Sequence, residues 1–545
     1  MTHMTKEVAR PREAVGPLIR GLSVLRELAA AGGRGSASGL VRATGLARST
    51  VDRSLSTLAR LGYVRPEGRD TVLAPRLMEL GNSYLAACGL PDLLGAVAER
   101  LAGDLDEPVW ITVPDRDGVR FVHQASRRRA LSVAFRVGDL LPAECGVGGT
   151  LFAAEWSDDE WRRREEGGFA DVPGGVGKAA ESFEERIARA RRDGWALDDR
   201  LLEPELVALA MPVRDRTAGQ ACAVSVVSHT SRHSAGSLRE AVLPRLREAV
   251  VAMEGALAAP VPPAANAPAQ RAPAAPRVRS SKQELGAEFV ESFARGLSVI
   301  TALGEPRAAL PLTAVAEATG LARATVRRSL ITLTHLGYVA CEDGLFRLTP
   351  RVLDLGFARL AALTLPEIAQ PHLASLVARV NDSASMAVLV GEDIQYVARV
   401  PTVRIMSVDI TLGTRFPAHA TSMGRVLLAG LPAHERGEFL RRADLRPLTP
   451  RTVTSAGRLD AILGRTERDG YALVEEELEE GLRSIAVPVR DRAGRVVAAI
   501  NVSMHAGRLT AGQARESVLP PLRDTAARIE QDLHVAGRYV KIRTS

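Results

Sequence analysis

The stretch LARSTVDRSLSTLARLGYV, from Leu46 to Val64, recurs as LARATVRRSLITLTHLGYV, from Leu321 to Val339, with 14 of 19 positions identical. In the second copy Val326, Leu330, Leu333 and Leu336 fall at helical spacing, which predicts a helix with one core face, beginning near Arg323 and ending at Gly337. Upstream, Thr313 is placed to cap a helix running through Thr319, with Glu317 as the tail of that start signal and Gly320 breaking it. Downstream, Asp343-Gly344 separates two short β-prone runs and predicts a hairpin. Helix, turn, helix and hairpin together read as a winged helix-turn-helix.

The polar face at the start of the repeated helix carries Arg323, Ala324, Thr325, Arg327 and Arg328 in the second copy and Arg48, Ser49, Thr50 and Arg53 in the first. A helix of this kind fits the major groove of double-stranded DNA: its first residues reach base edges and its cations neutralise phosphates. A solvated basic face is the plain alternative for four such residues alone; the turn, the wing and the duplicate favour an operator or promoter as partner. Asp52 stands where Arg327 does. A carboxylate beside phosphates weakens binding unless it accepts a cytosine amino proton, or it forms an ordinary pair with a neighbouring arginine. The expectation is two heads that read different half-sites, the first more weakly.

Outward from this segment the whole chain proves to be duplicated. Gly21-Leu22-Ser23-Val24 returns as Gly296-Leu297-Ser298-Val299, offset by 275, and Met211-Pro212-Val213-Arg214-Asp215 as Val487-Pro488-Val489-Arg490-Asp491, offset by 276. A period this long marks a repeated multidomain unit and not a solenoid. Between the copies, APVPPAANAPAQRAPAAPRVRSS reads as an Ala/Pro-rich, semi-extended linker. The expected order is a first head over 15–76, a first effector-like domain with a degenerate pocket over 77–258, linker 259–284, a second head over 285–351 and a second effector domain over 352–540. The fold class is α+β, multidomain.

Composition bounds the function. The chain has 545 residues, 46% apolar and 25% charged, with a net charge of +7, which permits a polyanionic partner without demanding one. The four cysteines show no Cys-x-x-Cys spacing, which argues against a zinc site or a disulfide scaffold and fits a reducing cytoplasm. No apolar run is long enough for a membrane span and no apolar leader is present, so neither export nor a membrane partner is expected. No Gly-x-Ser-x-Gly, His-Glu-x-x-His or Gly-x-x-x-x-Gly-Lys motif occurs, so catalytic residues, metal ligands and cofactors are not expected; a Ser/His hydrolase and a protein-binding scaffold are the competing readings.

The second half of each unit differs in kind. After a helical connector, LTPRVLDLGFARLAAL, come β-prone segments such as DIQYVARV, RSIAVPVRD and RVVAAINVSMH, separated by helical stretches. They predict an α/β domain around an antiparallel sheet, large enough for a ligand cavity. In GTRFPAHATSMGRVLLAG, Pro417 ends a strand and Thr421 and Ser422 sit at a helix start, a natural cradle for a carboxylate, with His419 just before it. Arg483, Ser484, Asn501 and Ser503 add polar groups inside apolar strands, where they need partners. Taken singly, each hydroxyl here has a local capping or bonding explanation; the set favours an anion site.

These segments resemble the IclR family of bacterial transcription regulators, present here as two fused copies. The second copy, in EFVESFARGLSVI, RFPAHATSMGRVLLAG and ELEEGLRSIA, resembles the PcaR/PcaU/PobR branch, which governs protocatechuate, 4-hydroxybenzoate and β-ketoadipate catabolism. The resemblance implies a GAF-like effector domain, a small aromatic or dicarboxylic acid as effector, homodimers or pseudo-tetramers, and contact with RNA polymerase. It places His419, Ala420, Thr421, Ser422, Met423, Gly424, Ser484, Asn501 and Ser503 at the pocket; Arg404 and Arg483 are further candidate carboxylate partners. The first copy departs from the pattern: Glu144, Gly146 and Val147 stand for His419, Thr421 and Ser422, Val207 and Ala208 for Arg483 and Ser484, and Ser225 and Val227 for Asn501 and Ser503. Hydroxyls and cations are lost and a carboxylate is gained, so the first domain is expected not to take the acid that the second takes.

Overall fold

A computed structural model describes the chain except residues 1–10, 117, 128–134, 168–180, 216–218, 260–285, 307–308, 403–409 and 545. The linker therefore lies almost wholly outside the described residues, as does Arg404. The described chain divides into two compact units, residues 1–361 and 362–545.

The first unit begins with helices α1 (Gly16–Ala30), α2 (Ala37–Thr44) and α3 (Arg48–Leu61) and strands β1 (Arg34–Ser36), β2 (Val64–Glu67) and β3 (Asp70–Leu73) in the order β1-β3-β2. Ser36 caps α2 by accepting from the Gly39 N–H at 3.1 Å, and Gly45, in the left-handed region, ends it. Val51, Leu55 and Leu58 form the buried stripe of α3. Helices α4 (Met78–Cys88) and α5 (Leu90–Leu105) lead to an antiparallel six-stranded sheet, β6-β5-β4-β9-β8-β7, made by β4 (Val109–Asp115), β5 (Gly118–Ala125), β6 (Leu140–Pro142), β7 (Ala196–Asp199), β8 (Leu206–Asp215) and β9 (Gly219–His229). Helices α6 (Val147–Ala153) and α7 (Ala235–Ala258) pack on this sheet.

The second head belongs to the same unit. It comprises α8 (Glu291–Ala302), β10 (Leu310–Pro311), α9 (Leu312–Thr319), α10 (Arg323–His335), β11 (Val339–Glu342) and β12 (Leu345–Leu348). The wing turn is as the sequence implies: Glu342 pairs with Leu345, and Asp343 and Gly344 both have positive φ, the two-residue turn that Asp-Gly favours. The start of α9 is not. The helix begins at Leu312 behind Pro311, with no side-chain cap, and Thr313 lies inside its first turn. A proline at that point already holds the extended backbone from which a helix departs, so the hydroxyl is not needed.

The connector after the second head also departs from a continuous helix. It is a 3-10 turn over Pro350–Asp354, a break at Gly356 with φ of 98°, and the short α11 (Phe357–Leu360). The corresponding Gly81 of the first copy sits within the continuous α4. A Cβ on Gly81 would lie 2.2 Å from the Phe357 ring, and one on Gly356 would lie 2.8 Å from Leu73. The two glycines thus let the connectors and the first head approach closely, in two different backbone states of one repeated residue.

The second unit repeats the sheet as β15-β14-β13-β18-β17-β16, with β13 (Ser383–Val390), β14 (Asp393–Val400), β15 (Arg415–Pro417), β16 (Ala472–Glu475), β17 (Leu482–Arg490) and β18 (Val496–His505). Helices α12 (Leu365–Val380) and α14 (Leu519–Ala536) pack against each other and against its strands, and α13 (Ser422–Ala429) lies against β17 and β18. Among the described residues no helix is long and apolar enough to cross a membrane.

Candidate functional site

A cavity of about 460 Å³ opens in the second unit between the start of α13 and the sheet. Strand register places its polar groups. Ser484 lies opposite Ser503 across β17 and β18, and Asn501 follows on the same face as Ser503, two residues away. The Asn501 amide donates to the Ser484 hydroxyl at 2.9 Å and to that of Ser503 at 3.0 Å. Ser484 in turn lies 2.6 Å from the Ser422 hydroxyl at the start of α13. The Asn501 carbonyl oxygen is buried and has no hydrogen-bond partner among the described residues. A buried acceptor in that state is costly unless a ligand or water donates to it.

Of the residues singled out from sequence, Ala420, Thr421, Ser422, Met423, Ser484, Asn501 and Ser503 line the cavity. Thr421 does so while capping α13, accepting from the Gly424 N–H at 3.0 Å. Three do not line it. His419 is buried with its ring 3.3 Å from the Arg446 carbonyl, and burial lowers its pKa. Gly424 is there because a Cβ would stand 2.1 Å from the Ala418 oxygen; Gly149 fills the same role in the first copy, again 2.1 Å from a carbonyl, that of Ala143. Arg483 is committed to Glu475, at 2.5 Å, and to the Ala506 carbonyl at 2.8 Å. Its guanidinium therefore completes the sheet edge instead of the cavity. The loop carrying these residues is pinned from behind by Arg425, which is buried and donates to Glu477 at 2.6 Å and to the His419 carbonyl at 3.1 Å.

Many lining residues were missed, among them the acidic Asp382, Glu479 and Glu480, the apolar Ile410, and Tyr396 and Arg399. Simple alternation puts positions three apart on opposite faces of a strand. Here the β13–β14 register shifts between Met386 and Ala387, so that Tyr396 opposes Ala387 while Arg399 opposes Ser385. The extra residue, Val397, turns Arg399 to the cavity side, where it supplies a cation. No sequence signal marks the bulge except its recurrence: β4 and β5 shift at the equivalent place, between Ile111 and Thr112.

That shared bulge shows what became of the first domain's cavity. Trp110 replaces Ser385, Phe121 replaces Tyr396 and Phe135 replaces Ile410. Phe121 and Phe135 stack at 5.3 Å, and Trp110 meets both edge-on, at 5.2 and 5.8 Å. Gln124, in the place of Arg399, accepts from the Trp110 indole N–H at 3.2 Å when its amide is oriented to satisfy both ends. Only about 30 Å³ remains. Burial also pushes Asp198, which lines this remnant, up to about 6. Glu144, which the sequence reading counted with the lost hydroxyls and cations, is buried and is not among the residues that line this remnant.

At the heads, Arg48, Ser49, Arg53, Arg323, Ala324, Arg327 and Arg328 are exposed on the first turns of α3 and α10, with Thr50 and Thr325 half-buried. Asp52 has the local partner that its spacing allows: Arg48 Nε donates to both carboxylate oxygens at 3.0 Å and Arg48 Nη1 to Ser38 at 3.0 Å.

The IclR helix-turn-helix model matches residues 17–68 and 292–342, and the model of the bacterial transcriptional regulator IclR C-terminal domain matches 83–254 and 357–531. The chain belongs to the IclR family. It is an IclR-type transcriptional regulator, of a family of regulators and not enzymes, carrying both domains twice. It is 42% identical over 269 residues to the Pca regulon regulatory protein of Pseudomonas putida, covering 48% of this chain and 92% of that one. It is 36% identical over 252 residues to the p-hydroxybenzoate hydroxylase transcriptional activator of Acinetobacter baylyi, covering 45% and 93%. Among solved structures, a double mutant of the PobR inducer-binding domain from Acinetobacter, in complex with 3-hydroxybenzoic acid, is 34% identical over 30% of this chain and 97% of that one, with a TM-score of 0.29. The two family matches, each found twice, bear out the IclR-type fold that the sequence implied.

Proposed function

We propose that this IclR-type regulator binds operator DNA through Arg48, Ser49, Thr50 and Arg53 of one head and Arg323, Ala324, Thr325, Arg327 and Arg328 of the other, and senses a small aromatic acid in its second effector domain alone. The regulated genes belong to aromatic-acid catabolism, of the protocatechuate and 4-hydroxybenzoate kind. The observation that carries the reading is the cavity of about 460 Å³ in which a Ser422–Ser484–Asn501–Ser503 network faces a space also lined by Arg399. Arg399 is the candidate partner for a carboxylate, a planar fork suited to two parallel hydrogen bonds. The serine–asparagine network suits a ring hydroxyl, because its members both donate and accept. Tyr396, Ile410 and Met423 supply the apolar walls an aromatic ring needs.

Ligand binding shifts an equilibrium between arrangements only by its differential affinity for them. The test is a gel shift of the full chain on its own upstream DNA, run across a salt series, with protocatechuate, 4-hydroxybenzoate or β-ketoadipate added. Binding that weakens with salt and changes with one of these acids is expected. DNA retention indifferent to all three would sink the effector assignment, and no retention would sink the DNA assignment.

A further inference from the structure

The two heads meet each other within the chain through contacts that exchange under the 275-residue repeat. The Val15 N–H donates to the Thr332 hydroxyl at 2.9 Å; the Val290 N–H donates to that of Thr57, also at 2.9 Å. A Cβ on Gly21 would lie 2.6 Å from the Phe293 ring, and one on Gly296 would lie 2.4 Å from Leu18. Residue 15 corresponds to 290, 18 to 293, 21 to 296 and 57 to 332, so each contact is the other with the copies swapped. This is the signature of a two-fold, self-complementary interface, here closed inside one polypeptide. Leu18 and Phe293 are both fully buried in it.

We propose that one chain grips one operator on its own, and that this operator is an inverted repeat with two unlike halves. The proposal rests on the DNA-binding reading above. A local two-fold presents α3 and α10 in opposite senses, so matching half-sites must be inverted and not tandem. The halves differ because the symmetry fails where bases are read. On the first turns, Arg48 and Arg53 stand against Asp52 in one head, a net charge of +1, whereas Arg323, Arg327 and Arg328 give +3 in the other, where the opposing carboxylate is that of Glu13, outside the helix and paired with Arg327. Arg327, which pairs with Glu13 in the free protein, can exchange that partner for a guanine and donate two bonds to it. Asp52 only accepts, and it holds Arg48 through Nε while Ser38 holds the same side chain through Nη1. Its half-site therefore disfavours guanine where the other selects it, and fewer counterions are released there. A homodimer cannot make this distinction, because its two heads are identical.

The test is a selection from a randomised duplex library with the full chain. Three duplexes are then rebuilt from the result: first half with second, first with first and second with second, all inverted. The expected outcome is one chain per duplex by mass photometry, with the mixed duplex bound about tenfold or more tighter than either matched one. Asp52→Arg, at a half-buried position on the helix surface, should move the first half's preference toward the second and make the second-with-second duplex a good ligand. Two chains per duplex, a perfect palindrome or a direct repeat would each overturn the proposal while leaving DNA binding intact. Failure to enrich any sequence would overturn the DNA reading and the proposal with it.

Discussion

The Ser422 and Ser484 hydroxyls lie 2.6 Å apart, one on a helix start and the other on the strand next to the sheet edge, and this buried contact ties α13 to the sheet in the wall of the cavity. Ser484 also accepts from Asn501 at 2.9 Å. Replacing Ser484 by alanine removes the middle of that chain and leaves the Asn501 amide with Ser503 alone on that side. Ser484→Ala should weaken aromatic-acid binding by about 1–2 kcal/mol, roughly 5- to 30-fold. Titration calorimetry on the full chain checks it, and unchanged affinity would take the network out of the binding site.

Arg399 is the corresponding position for charge. Arg399→Gln copies the first domain, where Gln124 stands. It should reduce affinity for the acid much more than for the matching amide, since a charge-assisted pair is worth about 1.5–3 kcal/mol. Equal losses for acid and amide, read by the same calorimetry, would remove the carboxylate from that end of the cavity.

What the sequence exposed and what it hid follow a physical line. Local signals were legible. Asp343-Gly344 forces a tight turn, Thr421 caps α13, and the apolar period of α10 fixes its buried face. Features that depend on register or on distant packing were not. The bulge that turns Arg399 inward is one residue of slip between two strands, with no composition of its own. Arg483 looked like a ligand group until Glu475 appeared 2.5 Å away on the paired strand. Gly356, where the connector breaks with φ of 98°, has Leu73 and Leu77 close to where a Cβ would stand, and both come from the first half of the chain.

In the first domain, Asp198 gives a pH prediction. Burial raises its pKa from 3.8 to about 6, against the opposing pull of the Leu201 and Leu202 backbone N–H groups and of Arg186. The folded form therefore keeps the proton to higher pH than the unfolded chain does. The associated stability is fully present below about pH 4 and is lost as pH rises through about 6, a swing of roughly 3 kcal/mol. Asp198→Asn keeps the oxygen that accepts from Leu201 N–H at 2.7 Å but carries no charge. It should raise the stability of this domain at pH 7–8 and leave it unchanged at pH 4, by thermal melts across pH. A variant equally stabilised at both ends would show that its effect is not linked to this proton.

Trp110 tests whether the first cavity is filled or merely closed. Its ring packs at 5.2 and 5.8 Å on Phe121 and Phe135, and it is almost wholly buried. Trp110→Ala should cost about 3–5 kcal/mol, read as a lower denaturation midpoint of the transition assigned to this domain. It should restore no acid binding, because Gln124 leaves no cation at the place of Arg399. Acid affinity gained by Trp110→Ala alone would place the barrier in volume only.

Gly21 sets the closeness of the two heads. The Phe293 ring fills the space of its missing side chain, with three ring carbons each 2.6 Å from where a Cβ would stand. A ring cannot yield as a flexible chain end can, so Gly21→Ala must push α1 and α8 apart. Overpacking of this kind costs about 1–3 kcal/mol, offset by the roughly 1 kcal/mol that alanine gains over glycine within a helix. Stability should therefore fall by no more than about 2 kcal/mol, while operator affinity falls, because half-site spacing is strict and the Val15–Thr332 and Val290–Thr57 bonds at 2.9 Å must lengthen together. Phe293→Leu, which copies Leu18 on the other side, should recover much of that affinity in the double variant. Gel shifts on the selected operator measure both, and a Gly21→Ala chain that binds as tightly as the parent would show that the paired heads are free to move.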